Sequence, residues 1–173
     1  MSLTTDHPTP RPLEGRFNRT DFDCGVPALN EYLEKYALQN QRKDASRTYV
    51  SADNAENILG YYTLVYGAIS STEAPIEIST GLGGYQIPIM LLARLAVDLR
   101  QTGRGLAGVL MRDAWLRTLQ AAEIAGLAAV MVDAKDEQAR SFYEKLGFRR
   151  SPDNPFKLFL QTTVIRIALQ AGR

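Results

Sequence analysis

The feature that most constrains this chain is a strand-like run that ends in a glycine turn and restarts as a helix. From Gln86 to Val97, the residues Ile87, Ile89, Met90, Leu91, Leu92, Leu95, Ala96 and Val97 leave almost no polar face, so the run reads as a strand buried on both sides and central in a sheet. Arg100-Gln101-Thr102-Gly103-Arg104-Gly105-Leu106-Ala107 follows, and apolar residues at Leu106, Val109, Leu110, Ala114, Ala121 and Ile124 then carry a long helix to a stop at Gly126. Such a turn suits an anion: Gly103 and Gly105 allow close backbone approach, the first-turn N–H groups have no helical partner, and the helix dipole favours negative charge there. Arg100 and Arg104 add full charges. A strand-to-helix turn without a ligand has the same local pattern. Gly103, Gly105 and Gly108 also satisfy the dinucleotide spacing G-x-G-x-x-G, with Asp133 available as its acidic partner. However, a helix and a hairpin precede the loop, and too little chain follows for a second mononucleotide-binding half.

The remaining segments fit around that centre. Met1 to Pro12 carries three prolines and reads as a flexible start, which leaves 13–173 as one folded domain. Pro27, then Leu29, Tyr32, Leu33, Tyr36 and Ala37, predict an amphipathic helix over 27–41. Ser46–Ala52 and Ile58–Ser70 flank a turn at Asp53–Asn57 and predict a hairpin, while 72–86 reads as an irregular insertion. Leu127–Val132 predicts a further strand, and Asp136 caps a short helix with inner stripe Ala139, Phe142, Tyr143 and Leu146, ended by Gly147. Lys157–Leu169 reads as a last strand. The class is therefore α/β or α+β, a single domain with a mixed central sheet flanked by helices.

Composition closes off several chemistries. With one Cys, Cys24, no intrachain disulfide forms, and with one His, His7, a zinc site has no ligand set. His7 reads as a solvated tail residue. No G-x-S-x-G elbow is present, and no apolar run approaches the roughly 18 residues of a membrane span. No apolar leader opens the chain, so a reducing, cytoplasmic setting is the expectation. Net charge is only +1, yet 51–93 holds no Lys or Arg, whereas 94–117 holds five Arg and 140–157 five basic residues, with Arg42, Lys43 and Arg47 as a third group. Such segregation suits a phosphate-bearing ligand, although ordinary solvated charge gives the same counts.

The stretch Leu95–Phe148 resembles the GNAT superfamily of N-acetyltransferases. Arg100-Gln101-Thr102-Gly103-Arg104-Gly105 looks like its R/Q-x-x-G-x-G/A pyrophosphate loop, and Ala139 to Phe148 resembles its A-x-x-F-Y-x-x-x-G-F helix. The resemblance implies acetyl-CoA as cofactor. Its binding set would be Leu95, Ala96, Val97, Arg100, Gln101, Gly103, Arg104, Gly105, Leu106, Ala107, Ala139 and Phe142, with no metal. It makes Tyr143 the residue that protonates the leaving thiolate or holds it by hydrogen bonding; packing as a core aromatic is the alternative. Asp98 reads as a cap, an ion-pair partner or a catalytic group.

Further segments, Cys24-Gly25-Val26, Asn40-Gln41, Ala45 to Val50, Tyr61 to Leu64, Ala93 to Asp98 and Arg112-Asp113-Ala114, are similar to the TacT-type toxins of bacterial type II toxin-antitoxin systems. That resemblance implies acetylation of the α-amine of aminoacyl-tRNA, blocking translation. It also implies neutralisation by a ribbon-helix-helix antitoxin supplied in trans, through which alone operator DNA would be reached. Arg42, Lys43, Arg47, Arg94, Arg149 and Arg150 are the tRNA-binding candidates, with Arg94 alternatively supporting the cofactor strand. No residue stands out as a general base, and the substrate makes that tolerable. A Lys amine of pKa about 10.4 is neutral in roughly one molecule in 2,500 at pH 7, an α-amine of pKa about 7.8 in about one in seven. Two other readings stay open: a GNAT enzyme acting on a small-molecule or protein amine, and a non-catalytic acyl-CoA-binding module. A homodimer is also left open.

Overall fold

The computed structural model describes residues 6–172. In chain order the strands are β1 (Arg11–Pro12), β2 (Arg47–Ala52), β3 (Ile58–Ile69), β4 (Ile87–Val97), β5 (Ala129–Asp133), β6 (Arg149–Arg150) and β7 (Lys157–Gln161). They form a seven-stranded sheet ordered β1-β2-β3-β4-β5-β7-β6. Pairing is parallel for β4–β5 and antiparallel for β1–β2, β2–β3, β5–β7 and β6–β7, so the sheet is mixed, as expected. The helices are α1 (Pro27–Glu31), α2 (Ala37–Arg42), α3 (Ile76–Ser79), α4 (Leu106–Ile124), α5 (Glu137–Lys145) and α6 (Thr162–Ala171). No helix among the described residues is long and apolar enough to cross a membrane.

The run read as a central strand is β4, between β3 and β5. It is not buried on both faces throughout: Ile87, Ile89, Leu92 and Ala96 are buried, but Leu91, Leu95 and Val97 are only half-buried. An apolar face can be covered by protein or left for a ligand, and hydropathy does not distinguish the two.

Two compact units share these elements. The first comprises the chain up to Val65 together with Ala93–Ala114. Its core gathers Leu13, Phe17, Phe22, Leu33, Val50, Ile58, Tyr61 and Ala96. The predicted 27–41 helix is one helical run interrupted by a π turn at Tyr32–Tyr36, where the Ala37 N–H reaches back to the Tyr32 carbonyl. The widened turn keeps Tyr32, Leu33, Ala37 and Leu38 all buried. Within the segment read as flexible, Arg11 and Pro12 pair with Val50 and Tyr49, and the Leu13 N–H bonds the Thr48 carbonyl at 2.9 Å. Residues 1–5 lie outside the described residues. Gly60 of β3 brings the start of α4 close: a Cβ there would lie 2.9 Å from Leu110 Cδ1, 3.0 Å from Leu106 Cδ2 and 3.2 Å from the Ala96 carbonyl.

The second unit comprises Tyr66–Leu92 and Trp115 onwards, around Ile69, Ile78, Ile87, Ile89, Ala129, Met131 and Phe159. The 72–86 insertion folds one helical turn, α3, which buries Ile78 beneath an exposed Ile76. The expected last strand is a correction: only Lys157–Gln161 is extended, and α6 follows at once. The β-branched residues Val164, Ile165 and Ile167 suggest a strand, but Thr162 and Ile165 are buried and Leu169 half-buried, which is helical spacing. Thr162 turns the chain by donating its N–H to the Ala128 carbonyl and its hydroxyl to Leu127 at 3.0 Å.

Candidate active site

The glycine turn and the first part of α4, to Ala114, belong to the first unit. Gly103 and Gly105 adopt φ of 78° and 83°, in the left-handed region that disfavours any side chain. Thr102 to Gly105 are exposed, and a Cβ at Gly103 or Gly108 would meet nothing within 4 Å. The helix therefore starts with its first-turn amides at an open surface, next to a loop whose backbone can be approached closely. That geometry fits a pyrophosphate. Leu106 is buried and Ala107 half-buried under the loop, and the strand leading to it contributes buried Ala96 flanked by half-buried Leu95 and Val97.

Asp98 ties this turn together. Its buried carboxylate accepts from the Arg100 N–H and Nε at 2.9 Å each, from Arg100 Nη2 at 3.0 Å and from the Asp23 N–H at 3.1 Å. The Arg100 guanidinium, helped by the two backbone N–H groups and opposed by burial, pulls the Asp98 carboxyl down to about 2. Of the roles read for Asp98, cap and ion-pair partner describe the structure. The Gln101 N–H adds a bond to the Asp98 carbonyl. Arg100 is thus held sideways by its neighbour, while exposed Arg104 projects from the loop itself. His7 is a correction. Its Nε2–H donates to the Arg104 carbonyl at 2.6 Å, so it is a contact of the loop and not a solvated tail residue.

On the second unit, Asp136 caps α5 by accepting the Ala139 N–H at 2.8 Å. Ala139 and Tyr143 are half-buried, and Phe142 is exposed at 37%. The Tyr143 ring is edge-on to Phe142 at 5.3 Å and to Phe148 at 5.4 Å. Its hydroxyl makes no hydrogen bond among the described residues. Burial pushes the phenol up to about 12, so it carries its proton at every working pH. The packed ring and the unpartnered hydroxyl join the two readings of this residue: the ring is wedged, and the polar tip is available.

The basic residues are not equivalent. Arg47 is paired with Asp44 at 2.6 Å, Arg150 with Glu144 at 2.9 Å, and Arg94 lies over the Tyr32 ring at 3.5 Å from its centroid. Arg42 and Lys43, at the end of α2, and Arg149, in β6, are exposed and form no ion pair among the described residues.

The model of the acetyltransferase (GNAT) domain matches residues 22–158, which contain the glycine turn, α5 and Tyr143. The chain belongs to the GNAT acetyltransferase family. This GNAT chain is 38% identical over 151 residues, 87% of its own length and 90% of the other's, to a tRNA-acetylating toxin of Mycobacterium tuberculosis. Its fold matches the AtaT protein complexed with acetyl-methionyl-tRNA at a TM-score of 0.86 and 29% identity, covering 93% of this chain and 98% of that one. It also matches a tyrosine-to-phenylalanine mutant of the AtaT toxin bound to the C-terminus of the antitoxin AtaR and acetyl-CoA, with a TM-score of 0.80, 28% identity and coverage of 93% and 97%. His7 lies outside the segment that the GNAT model matches, which is why no motif pointed to it.

Proposed function

We propose that this chain transfers the acetyl group of acetyl-CoA to the α-amino group of amino acids esterified to tRNA and so acts as a toxin that blocks translation. The observation that carries this reading is the near full-length likeness to AtaT holding acetyl-methionyl-tRNA, joined to the 38% identity with a tRNA-acetylating toxin. The residues present suit the cofactor. The amides of Gly103 to Ala107, with Arg104, would hold its pyrophosphate, Leu95 to Val97 would line its pantetheine arm, and Ala139 and Phe142 would flank it, with Arg100 and Gln101 shaping the turn.

Bound acetyl-CoA supplies an activated thioester whose thiol is the leaving group. Tyr143 holds a proton at its hydroxyl oxygen. A phenol near 12 passes that proton to a thiolate of pKa about 8.5 only uphill, so its part is to stabilise sulfur by hydrogen bonding, while the nitrogen, positively charged once the neutral amine has attacked the thioester carbonyl, gives up the net proton as the thiolate leaves. The neutral fraction of an α-amine is high enough at pH 7 to dispense with a side-chain base. Arg42, Lys43 and Arg149 would take the tRNA backbone, with Arg47, Arg94 and Arg150 released from their present partners or serving the fold. A ribbon-helix-helix antitoxin in trans would neutralise the enzyme and carry it to operator DNA, and a homodimer belongs to the same proposal.

The test is transfer of labelled acetyl to a mixture of charged tRNAs beside uncharged tRNA, free amino acids and a polyamine, with Tyr143→Phe as control. Label on charged tRNA alone, lost in the variant, supports the proposal. Label on a free amine would replace it with an ordinary acetyltransferase, and no label at all with a binding module.

A further inference from the structure

We propose that His7 is a positioning residue of the cofactor loop: by bonding the Arg104 carbonyl it sets the direction of the Gly105 amide that receives the coenzyme phosphate. The inference rests on the acetyl-CoA reading of that loop. Arg104 stands between two glycines at positive φ, so the backbone on either side of it has a wide choice of conformations. The Gln101 N–H bonds the Asp98 carbonyl at 2.8 Å at the start of the turn, but the bonds nearer Arg104, from the Thr102 N–H to Leu99 and from the Arg104 N–H to Gln101, are both long at 3.3 Å. At the Arg104 carbonyl itself, His7 bonds at 2.6 Å, across 97 residues of sequence. All described peptides are trans. In a trans peptide the carbonyl of one residue and the N–H of the next point to opposite sides. Turning the Arg104 oxygen toward His7 therefore turns the Gly105 N–H the other way, away from His7, at the residue immediately before α4 begins.

His7 can do this because the arm carrying it is fixed. Arg11 and Pro12 pair with β2, and the hydroxyl of buried Ser51 donates to the Pro8 carbonyl at 2.8 Å. Pro8 and Pro10 restrict φ in between. A donor on a pre-ordered arm sacrifices little further entropy when it bonds. The imidazole carries a hydrogen on Nε2 when protonated and in one of its two neutral tautomers, so the contact needs no particular charge state.

Wild type, His7→Ala and His7→Gln are compared as full chains by calorimetric titration with coenzyme A and by steady-state transfer to charged tRNA. Loss of one hydrogen bond predicts that His7→Ala weakens coenzyme A binding and raises KM for acetyl-CoA by about three- to tenfold, while kcat and KM for charged tRNA stay within about twofold. His7→Gln, whose side-chain amide also donates, recovers most of the loss, and neither variant lowers the melting temperature appreciably. Unchanged coenzyme A affinity in His7→Ala overturns the proposal. So does an equal loss in His7→Gln, or a loss that merely follows a fall in melting temperature. Absence of coenzyme A binding by the wild type would overturn the cofactor reading itself, and this inference with it.

Discussion

The sequence offers Tyr143 as a candidate because it stands in a motif, but the environment of its phenol depends on Phe142 and Phe148 closing round it, which no motif carries. That environment has a consequence for pH. The proposed reaction would need a neutral α-amine of pKa about 7.8 and a protonated Tyr143, raised to about 12 by burial. Initial-rate kcat/KM should therefore climb with a midpoint near pH 7.8, level off by about pH 9 and stay level to about pH 10.5; a decline with a midpoint near 10 would mean an ordinary phenol. Tyr143→Phe should lower kcat by about 10²- to 10³-fold with little change in stability. Asp98 gives a second titration. Its folded value, about 2, lies below the ordinary 3.8, so its ion pair stabilises the fold at neutral pH and is lost as pH falls through about 2. Because Arg100 is 63% exposed, the gain is discounted: Asp98→Asn should cost about 1–2 kcal/mol in urea unfolding at pH 7, and the gap should narrow between pH 4 and pH 2. His7 was not legible at all. Prolines around it read as a tail, and a partner 97 residues away leaves no local trace.

At the scale of elements, the turn between β4 and α4 was readable because glycine spacing, an apolar strand and a helical period agree on one structure. The place where α4 crosses the sheet was not. Gly60 lies in an unremarkable stretch of β3, yet its missing Cβ is what lets Leu106 and Leu110 pack onto that strand. Gly60→Ala should lower stability by about 1–3 kcal/mol through overpacking, measured by thermal melting, whereas Gly108→Ala, into open space on a helix, should raise it by about 0.5–1 kcal/mol. The last element was misread for a different reason. Val164, Ile165 and Ile167 favour strand geometry weakly, and the hydrogen bonds of Thr162 to Leu127 and Ala128 override that preference by starting a helix there. The hairpin β2–β3 and α5 came out where their turn, cap and stop residues put them.

For the whole molecule, near-neutral net charge conceals a set of cations of unequal use. Counting charges along the chain found the groups but not their pairing. Arg47, Arg94 and Arg150 already have partners in the fold, and Arg42, Lys43 and Arg149 form no ion pair among the described residues. Reversing Arg42 and Lys43 together to Glu should raise KM for charged tRNA at least tenfold and weaken its salt dependence, with coenzyme A affinity unchanged; an unchanged KM would place the RNA elsewhere. The product proposed for this GNAT chain is an aminoacyl-tRNA acetylated on nitrogen. The most direct measurement is mass spectrometry of the terminal aminoacyl-adenosine released by ribonuclease after incubation with acetyl-CoA. The account predicts an ester heavier by one acetyl group on the α-nitrogen, absent with Tyr143→Phe. An unmodified ester, or acetyl found on the nucleotides or on free amino acids instead, would contradict it.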